Sequence, residues 1–229
     1  MVPLFNMLTQ IKPSIATIAI FFHPPECSED CIDGMTTALS SRYDITTFSE
    51  EECNIETLRK YDMIAFPGGI GDSSSFDSFF RRKAQNAVAD YVAEGGRYLG
   101  ICMGAYWAGS YYFDILDGVD AVQYIKQPNA DVKRSYGTVT EVLWNNKPTN
   151  MYFYDGCSLI GDPIKYKTIA TYSNGDAMAI IQNRIGIIGC HPESLKYWYE
   201  SPWNYINQHW HNGDHHKLLL EFVDDLMRT

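Results

Sequence analysis

The chain predicts an α/β fold: a mostly parallel sheet with helices on both faces, followed by a β-rich second half. Three observations carry this. Short apolar runs alternate with amphipathic segments up to residue 117, Gly-rich turns separate them, and beyond that point the texture changes to short strand-like runs divided by Asn and Gly turns.

The elements follow in order. Ser14 to Phe22 reads as a buried strand, ended by His23-Pro24-Pro25 because proline cannot continue a ladder. Asp30 to Ser41 reads as a helix and Tyr43 to Phe48 as a β-branched second strand. Tyr61 to Phe66 is a third strand, stopped by Pro67-Gly68-Gly69. From Ser75 to Glu94 the residues Phe76, Phe79, Phe80, Ala84, Ala87, Val88, Tyr91 and Val92 recur at helical steps, and Gly95-Gly96 is a C-cap signal. Arg97 to Ile101 is a fourth strand, followed directly by an apolar helix from Met103. In the second half, Tyr136 to Trp144, Met151 to Tyr154, Thr168 to Tyr172, Ala177 to Gln182 and Arg184 to Gly189 are the strand-like runs. Asn145-Asn146, Asp155-Gly156, Asn174-Gly175 and Asn183 are the turns between them. Asp214 to Met227 is an amphipathic closing helix. No Pro/Ser-rich linker divides the chain, so one domain over 1–229 is expected, with a core of about 14–200.

Composition removes several function classes. With 45% apolar residues and 14% aromatics the chain can bury a substantial core, which excludes global disorder. No apolar run approaches the ~18 residues of a membrane-spanning helix. The net charge of −10 argues against nucleic acid and anionic membranes as partners. The densest basic run, Arg81-Arg82-Lys83, reads as the solvated face of a helix. Six cysteines are too sparse for a disulfide scaffold, and Ile15 to Phe22 follows only Lys12 with no cleavage site after it. Free thiols in a reducing, cytoplasmic compartment are the expectation. Cys27 and Cys31 form half of a zinc pattern with no second close pair, so no metal ligand is assigned. His209, His211, His215 and His216, with Trp210, read as a solvated aromatic segment. Trp198, Trp203 and Trp210 offer a partner surface or core packing.

Three motifs carry chemistry. In Arg97 to Tyr106 a strand runs into Cys102 and a helix leaves it, with Gly100 and Gly104 two residues to either side. This is the pattern of a nucleophile elbow with sulfur in place of the serine oxygen. The glycines leave room for the sharp turn, and the helix start favours a thiolate. A buried packing cysteine is the competing reading. In Cys190-His191-Pro192-Glu193 the proline biases His191 toward extended backbone, so His191 and Glu193 can address one site, the carboxylate orienting the imidazole. Together these make a Cys102–His191–Glu193 triad. The loop Phe66-Pro67-Gly68-Gly69-Ile70-Gly71-Asp72 closes the third strand, which should neighbour the cysteine strand. The N–H groups of Gly69 and Met103 are then candidates for an oxyanion hole, unless the loop is only a tight turn.

These pieces resemble the class I glutamine amidotransferase-like superfamily, which has a P-G-G loop, G-x-C-x-G after a strand and a late H-P-E, in that order. Within it the chain resembles the N-terminal domain of eukaryotic-type biotin–protein ligases and its stand-alone relatives. The carriers are Pro67-Gly68-Gly69, Tyr98 to Tyr106, Tyr152-Phe153-Tyr154-Asp155-Gly156 and Ala179 to Glu193, within a likeness spanning about Ile15 to Tyr199. The resemblance implies a flavodoxin-like α/β sheet and a thiol hydrolase of C–N amide bonds using no cofactor. It implies a small-molecule or peptide amide substrate and leaves room for a second copy or a synthase partner. Gly68, Tyr106 and Tyr154 are the substrate-binding candidates. The basic Gly-Arg motif of the ligase catalytic half does not occur, so biotin ligation is not expected. Tyr106 stands where enzymes that hydrolyse free glutamine commonly carry Gln, so free glutamine is not the expected substrate. A regulatory module retaining the triad is the alternative function, and a redox sensor at Cys102 a third.

Overall fold

The computed structural model describes residues 15–70, 72–80, 82–200 and 204–229. In chain order the elements are β1 (Thr17–Phe21), α1 (Glu29–Leu39), β2 (Asp44–Phe48), α2 (Ile55–Leu58), β3 (Met63–Phe66), α3 (Ser73–Phe79), α4 (Arg82–Ala93), β4 (Arg97–Ile101) and α5 (Met103–Trp107). The second half supplies β5 (Val119–Gln123), β6 (Thr138–Trp144), β7 (Lys147–Phe153), β8 (Cys157–Gly161), β9 (Lys167–Tyr172), β10 (Ala177–Gln182), β11 (Ile185–Ile188) and α6 (Asp214–Met227). Of the sequence expectations, Ser14, Trp203 and the side chains of the Arg81–Lys83 run lie outside the described residues.

Among the described residues eleven strands join one sheet, whose main path runs β2–β1–β3–β4–β11–β10–β9–β6–β7. The pairs β2–β1, β1–β3, β3–β4 and β4–β11 are parallel. From β11 onward the ladder is antiparallel, and β5 and β8 form a side branch onto β10. This is the α/β first half and β-rich second half expected from the sequence, joined at β11. The β11 residues pair with β4 on one side and β10 on the other, so the last strand of the chain sits in the middle of the sheet.

Both faces are covered. On one, α6 lies against β11, where a side chain at Gly186 would strike Leu226 and Phe222, and α1 packs against α6. On the other, Phe21, Phe66, Phe76, Phe80, Trp107 and Phe113 form a buried aromatic cluster between the strands and α3 and α5. This cluster explains the main departure from the sequence reading. The single helix expected over Ser75 to Glu94 is two, broken at Phe80, whose φ −100° and ψ 68° are not helical. Consecutive helical residues point about 100° apart, and the break at Phe80 frees its ring from that spacing. The break lets both be buried, with the Phe80 ring 4.9 Å from Phe113 and 5.3 Å from Phe21. Sequence reading also omitted α2, β5 and β8. The first is capped by the Asn54 side chain, which accepts from the Thr57 N–H. Among the described residues no helix is long and apolar enough to cross a membrane.

Candidate active site

The parallel register places the three motifs side by side. Phe66 of β3 pairs with Gly100 of β4, and Ile101 of β4 pairs with Ile188 of β11. Pro67-Gly68-Gly69, Cys102 and His191 therefore all leave the carboxyl ends of adjacent strands, where open α/β sheets place their ligand crevices. Residues 102 and 191 are distant in sequence but follow neighbouring strands.

Cys102 occupies a strained turn. Its φ of 50° and ψ of −102° are rare for a residue with a side chain, and α5 begins at the next residue. Its N–H donates to the Ile188 carbonyl at 3.0 Å, and the Gly104 N–H donates to Pro67 O at 3.2 Å, so neighbouring strand ends grip the turn. A Cβ on Gly104 would lie 2.0 Å from the Phe66 carbonyl oxygen, and one on Gly100 would lie 2.4 Å from the Gly104 oxygen. Both elbow glycines are fixed by contact with backbone, as the spacing suggested. The sulfur points toward the second half, its S–H donating to Tyr154 O at 3.5 Å.

His191 is held by its surroundings. Its N–H donates to Tyr152 O, its ring is edge-on to Tyr152 and Trp198, and its Nδ1 donates to Glu193 Oε1 at 2.8 Å. Glu193 is fully buried, and its Oε2 has no hydrogen-bond partner among the described residues. Burial opposes charge on His191, but the Cys102 sulfur, the Glu193 carboxylate and hydrogen bonds with Cys102 and Cys31 outweigh it and hold the imidazole pKa well above its ordinary value. Gly68 packs against this ring: a Cβ there would meet His191 Cε1 at 2.7 Å and Cys31 Sγ at 2.8 Å. Gly69 forms an antiparallel bridge with Cys27, and the next residue, Ile70, donates its N–H to Glu26 O at 2.8 Å. The loop is thus pinned to the segment after β1. Met103 is the first residue of α5.

A cavity of about 340 Å³ opens onto these groups. Cys102, His191, Gly69 and Tyr154, all singled out in the sequence, line it. Tyr106 does not; its hydroxyl donates to Asp155 O at 3.0 Å. Ser28, Asp30, Cys31, Ile70 and Tyr197 also line the wall and were not assigned to the site from sequence. Three of these, Ser28, Asp30 and Cys31, lie at the start of α1, the helix after β1, and the end of a parallel strand was the available signal. Ile70 and Tyr154 are exposed large apolar side chains at the rim. Among the described lining residues Asp30 is the one carboxylate, His191 the one histidine, and none is Lys or Arg.

Cys27 and Cys31 do not act as a pair. Cys27 lies in the bridge to Gly69, whereas Cys31 turns toward His191. All six cysteines are free and buried. The C-terminal histidines divide: His215 and His216 converge on Ser194, each with Nε2 within 3.0 Å of its carbonyl oxygen, while His209 and His211 lie ring to ring near the surface. The Ser194 hydroxyl also bonds Tyr199 at 2.8 Å. The start of α6 thus anchors the residue that follows Glu193.

The family described as biotin-protein ligase, N terminal, matches residues 23–118. None of the curated proteins matches the chain in sequence. Among solved structures, a glutamine amidotransferase from Thermotoga maritima aligns with a TM-score of 0.65 at 10% identity, over 94% of this chain and 99% of that one. The structure of PurLQS from Thermotoga maritima aligns with a TM-score of 0.61 at 14% identity, over 92% and 99% of the two chains. A further glutamine amidotransferase structure aligns with a TM-score of 0.61 at 14% identity, over 93% and 99%. The fold is that of the class I glutamine amidotransferases, and the likeness to the ligase N-terminal family read from the sequence holds over its first half.

Proposed function

We propose that the protein is a cysteine-dependent hydrolase of amide C–N bonds whose substrate is not free glutamine. The observation that carries this is the meeting of a strained elbow cysteine and a carboxylate-oriented histidine in one cavity. In the proposed cycle Cys102 Sγ attacks the amide carbonyl carbon and His191 takes the thiol proton. The N–H groups of Gly69 and Met103 face the developing oxyanion. The tetrahedral intermediate collapses, the C–N bond breaks, and His191 returns the proton to the leaving amine. Water then adds to the thioester carbonyl with His191 as base, releasing a carboxylic acid and restoring the thiol. Both transfers need the ring held in one orientation, which the hydrogen bond from Nδ1 to Glu193 supplies.

The cavity wall supports the restriction on substrate. Free glutamine carries an α-carboxylate, and the described wall offers it no Lys or Arg to pair with while it presents the Asp30 carboxylate. Ile70, Tyr154, Tyr152 and Trp198 instead suit an apolar or aromatic flank beside the amide. Tyr106 cannot supply the paired donor and acceptor of a Gln side chain.

The test is amine or ammonia release from a panel of carboxamides, free glutamine included, with Cys102→Ala as blank and mass detection of an acyl adduct on Cys102. Turnover of flanked amides, with glutamine at the blank rate, is the expected result. Robust Cys102-dependent glutamine turnover, at roughly 1 per second or faster, would return the protein to the ordinary glutaminases. The match to a ligase N-terminal region supports a second reading, a regulatory module that binds at this cavity without turnover. Absence of both turnover and adduct across the panel would favour it. The cavity would then hold a ligand or a partner such as a synthase subunit.

A further inference from the structure

Cys31 reaches His191 from a different element than Cys102 does, and nothing in the hydrolase cycle uses it. Cys31 Sγ, a ring nitrogen of His191 and a carboxylate oxygen of Glu193 lie within 4.8 Å of one another, all three residues buried. Three ligand atoms on a tetrahedral zinc ion at ~2.0–2.3 Å are about 3.3–3.8 Å apart. The three donors therefore need to move by roughly 1 Å or less to hold an ion. A second observation points the same way. Glu193 Oε2 is buried without a hydrogen-bond partner among the described residues, and such a group is costly unless a cation or donor meets it.

We propose that Cys31, His191 and Glu193 form a binding site for a soft divalent cation of the zinc type. Thiolate, imidazole and carboxylate together select zinc over calcium or magnesium, which prefer all-oxygen shells. The ion displaces the Cys31 thiol proton and a proton of the His191 ring, which are released to solvent; the charges then balance, because a thiolate and a carboxylate cancel a divalent ion and the imidazole binds neutral. Burial then carries no net charge. Cys31 and His191 line the cavity, which gives an ion a route to the three donors. The site stands on this placement and not on the hydrolase reading. Under that reading an ion on His191 removes the base and stops turnover.

The experiment measures Zn²⁺ binding to the full chain by competition with a chromophoric chelator, and follows Co²⁺ substitution by its thiolate charge-transfer absorbance. Wild type should bind one ion per chain. Cys102→Ala should bind it within about threefold of wild type and keep the cobalt–thiolate band. Cys31→Ser should weaken binding at least about 100-fold, beyond the 10–100-fold typical of losing an outer-shell partner. If Cys31→Ser fails to fold, the near-isosteric Glu193→Gln should weaken binding in its place. The proposal is overturned if wild type binds no zinc, if Cys31→Ser binds as tightly as wild type, or if Cys102→Ala abolishes binding. The last result would place the ion on the elbow cysteine. Each readout is binding, so a failed hydrolase assay leaves this result intact, and the reverse holds too.

Discussion

The two loops that meet at the cavity hold their side chains by opposite means. Cys102 is placed by backbone: a left-handed φ, two glycines in contact with carbonyls, and hydrogen bonds to Ile188 and Pro67. His191 is placed by side chains: Glu193 on one nitrogen, Tyr152 and Trp198 around the ring, and Ser194 behind it, held by Tyr199, His215 and His216. A nucleophile needs one fixed point, which strain in a sheet-to-helix turn provides. A base must exchange protons, and a network of partners can fix its direction while its charge changes. The two loops should therefore fail differently.

The largest effect is expected at the nucleophile. Cys102→Ala should remove turnover to the blank, a loss of about 10⁴-fold or more, with little change in melting temperature. Glu193→Gln should cost less, on the order of 10²–10⁴-fold, because orientation is lost and the thiol remains. Equal rates in wild type and both variants would remove the triad from the mechanism. Gly104→Ala should act on the fold: its Cβ would lie 2.0 Å from Phe66 O, and the backbone must shift. We expect a loss of about 3 kcal/mol in chemical denaturation. An unchanged midpoint would show that strain does not hold the elbow.

The side-chain network predicts a pH effect. Burial pushes the His215 pKa down to about 4 from the ordinary 6.5. Between those values the unfolded chain binds more protons than the folded one. Stability should therefore fall as pH drops through that window, in full below about pH 4, and be unaffected above 6.5. The shift of roughly 2.5 units corresponds to about 3 kcal/mol. Urea midpoints of wild type and His215→Gln, compared from pH 7 to 4, should diverge by that amount in sign and order; parallel curves would mean that His215 titrates freely. The smallest perturbation is chemical. Burial holds Cys31 up at about 11 and Cys27, Cys53 and Cys190 at about 12, with Cys157 raised well above the thiol range. Brief iodoacetamide exposure near neutral pH should label Cys102 first, because it lines the cavity beside a basic imidazole. Earlier labelling of Cys27 or Cys157 would contradict the elbow.

What was legible in the sequence was local. Glycine on both sides of Cys102, Pro67-Gly68-Gly69 closing a strand, and His191-Pro192-Glu193 after another each carry their geometry within a few residues. What was not legible depends on which strands become neighbours. Cys31 reads as half of a zinc pattern because its meeting with His191 depends on α1 packing against the segment after β11, where a Cβ on Gly34 would meet Glu193 O. Asp30, also on α1, joins the wall for the same reason, and Ile70 joins it through the loop after β3. Phe80 fits a helical period in sequence, and its exit from the helix depends on Phe21, Phe66 and Phe113 converging from elsewhere. Tyr106 was read from a sequence position beside the elbow, and only the fold shows its hydroxyl turned to Asp155.

The central position of β11 makes the order of synthesis matter. A ribosome delivers β1 to β4 first, and the thiol at residue 102 emerges long before its histidine partner. The slot between β4 and β10 is filled only when residues 185–188 arrive, and the anchoring helix α6 comes later still. The nascent chain thus carries a cysteine with no base opposite it, and a sheet whose two halves lack their joining strand. Such long-range closure is slow compared with local folding, and it exposes unpaired edges at β4 and β10 until it completes. Completion of the sheet and the meeting of Cys102 with His191 are one event, so a chain truncated before residue 185 would lose both together.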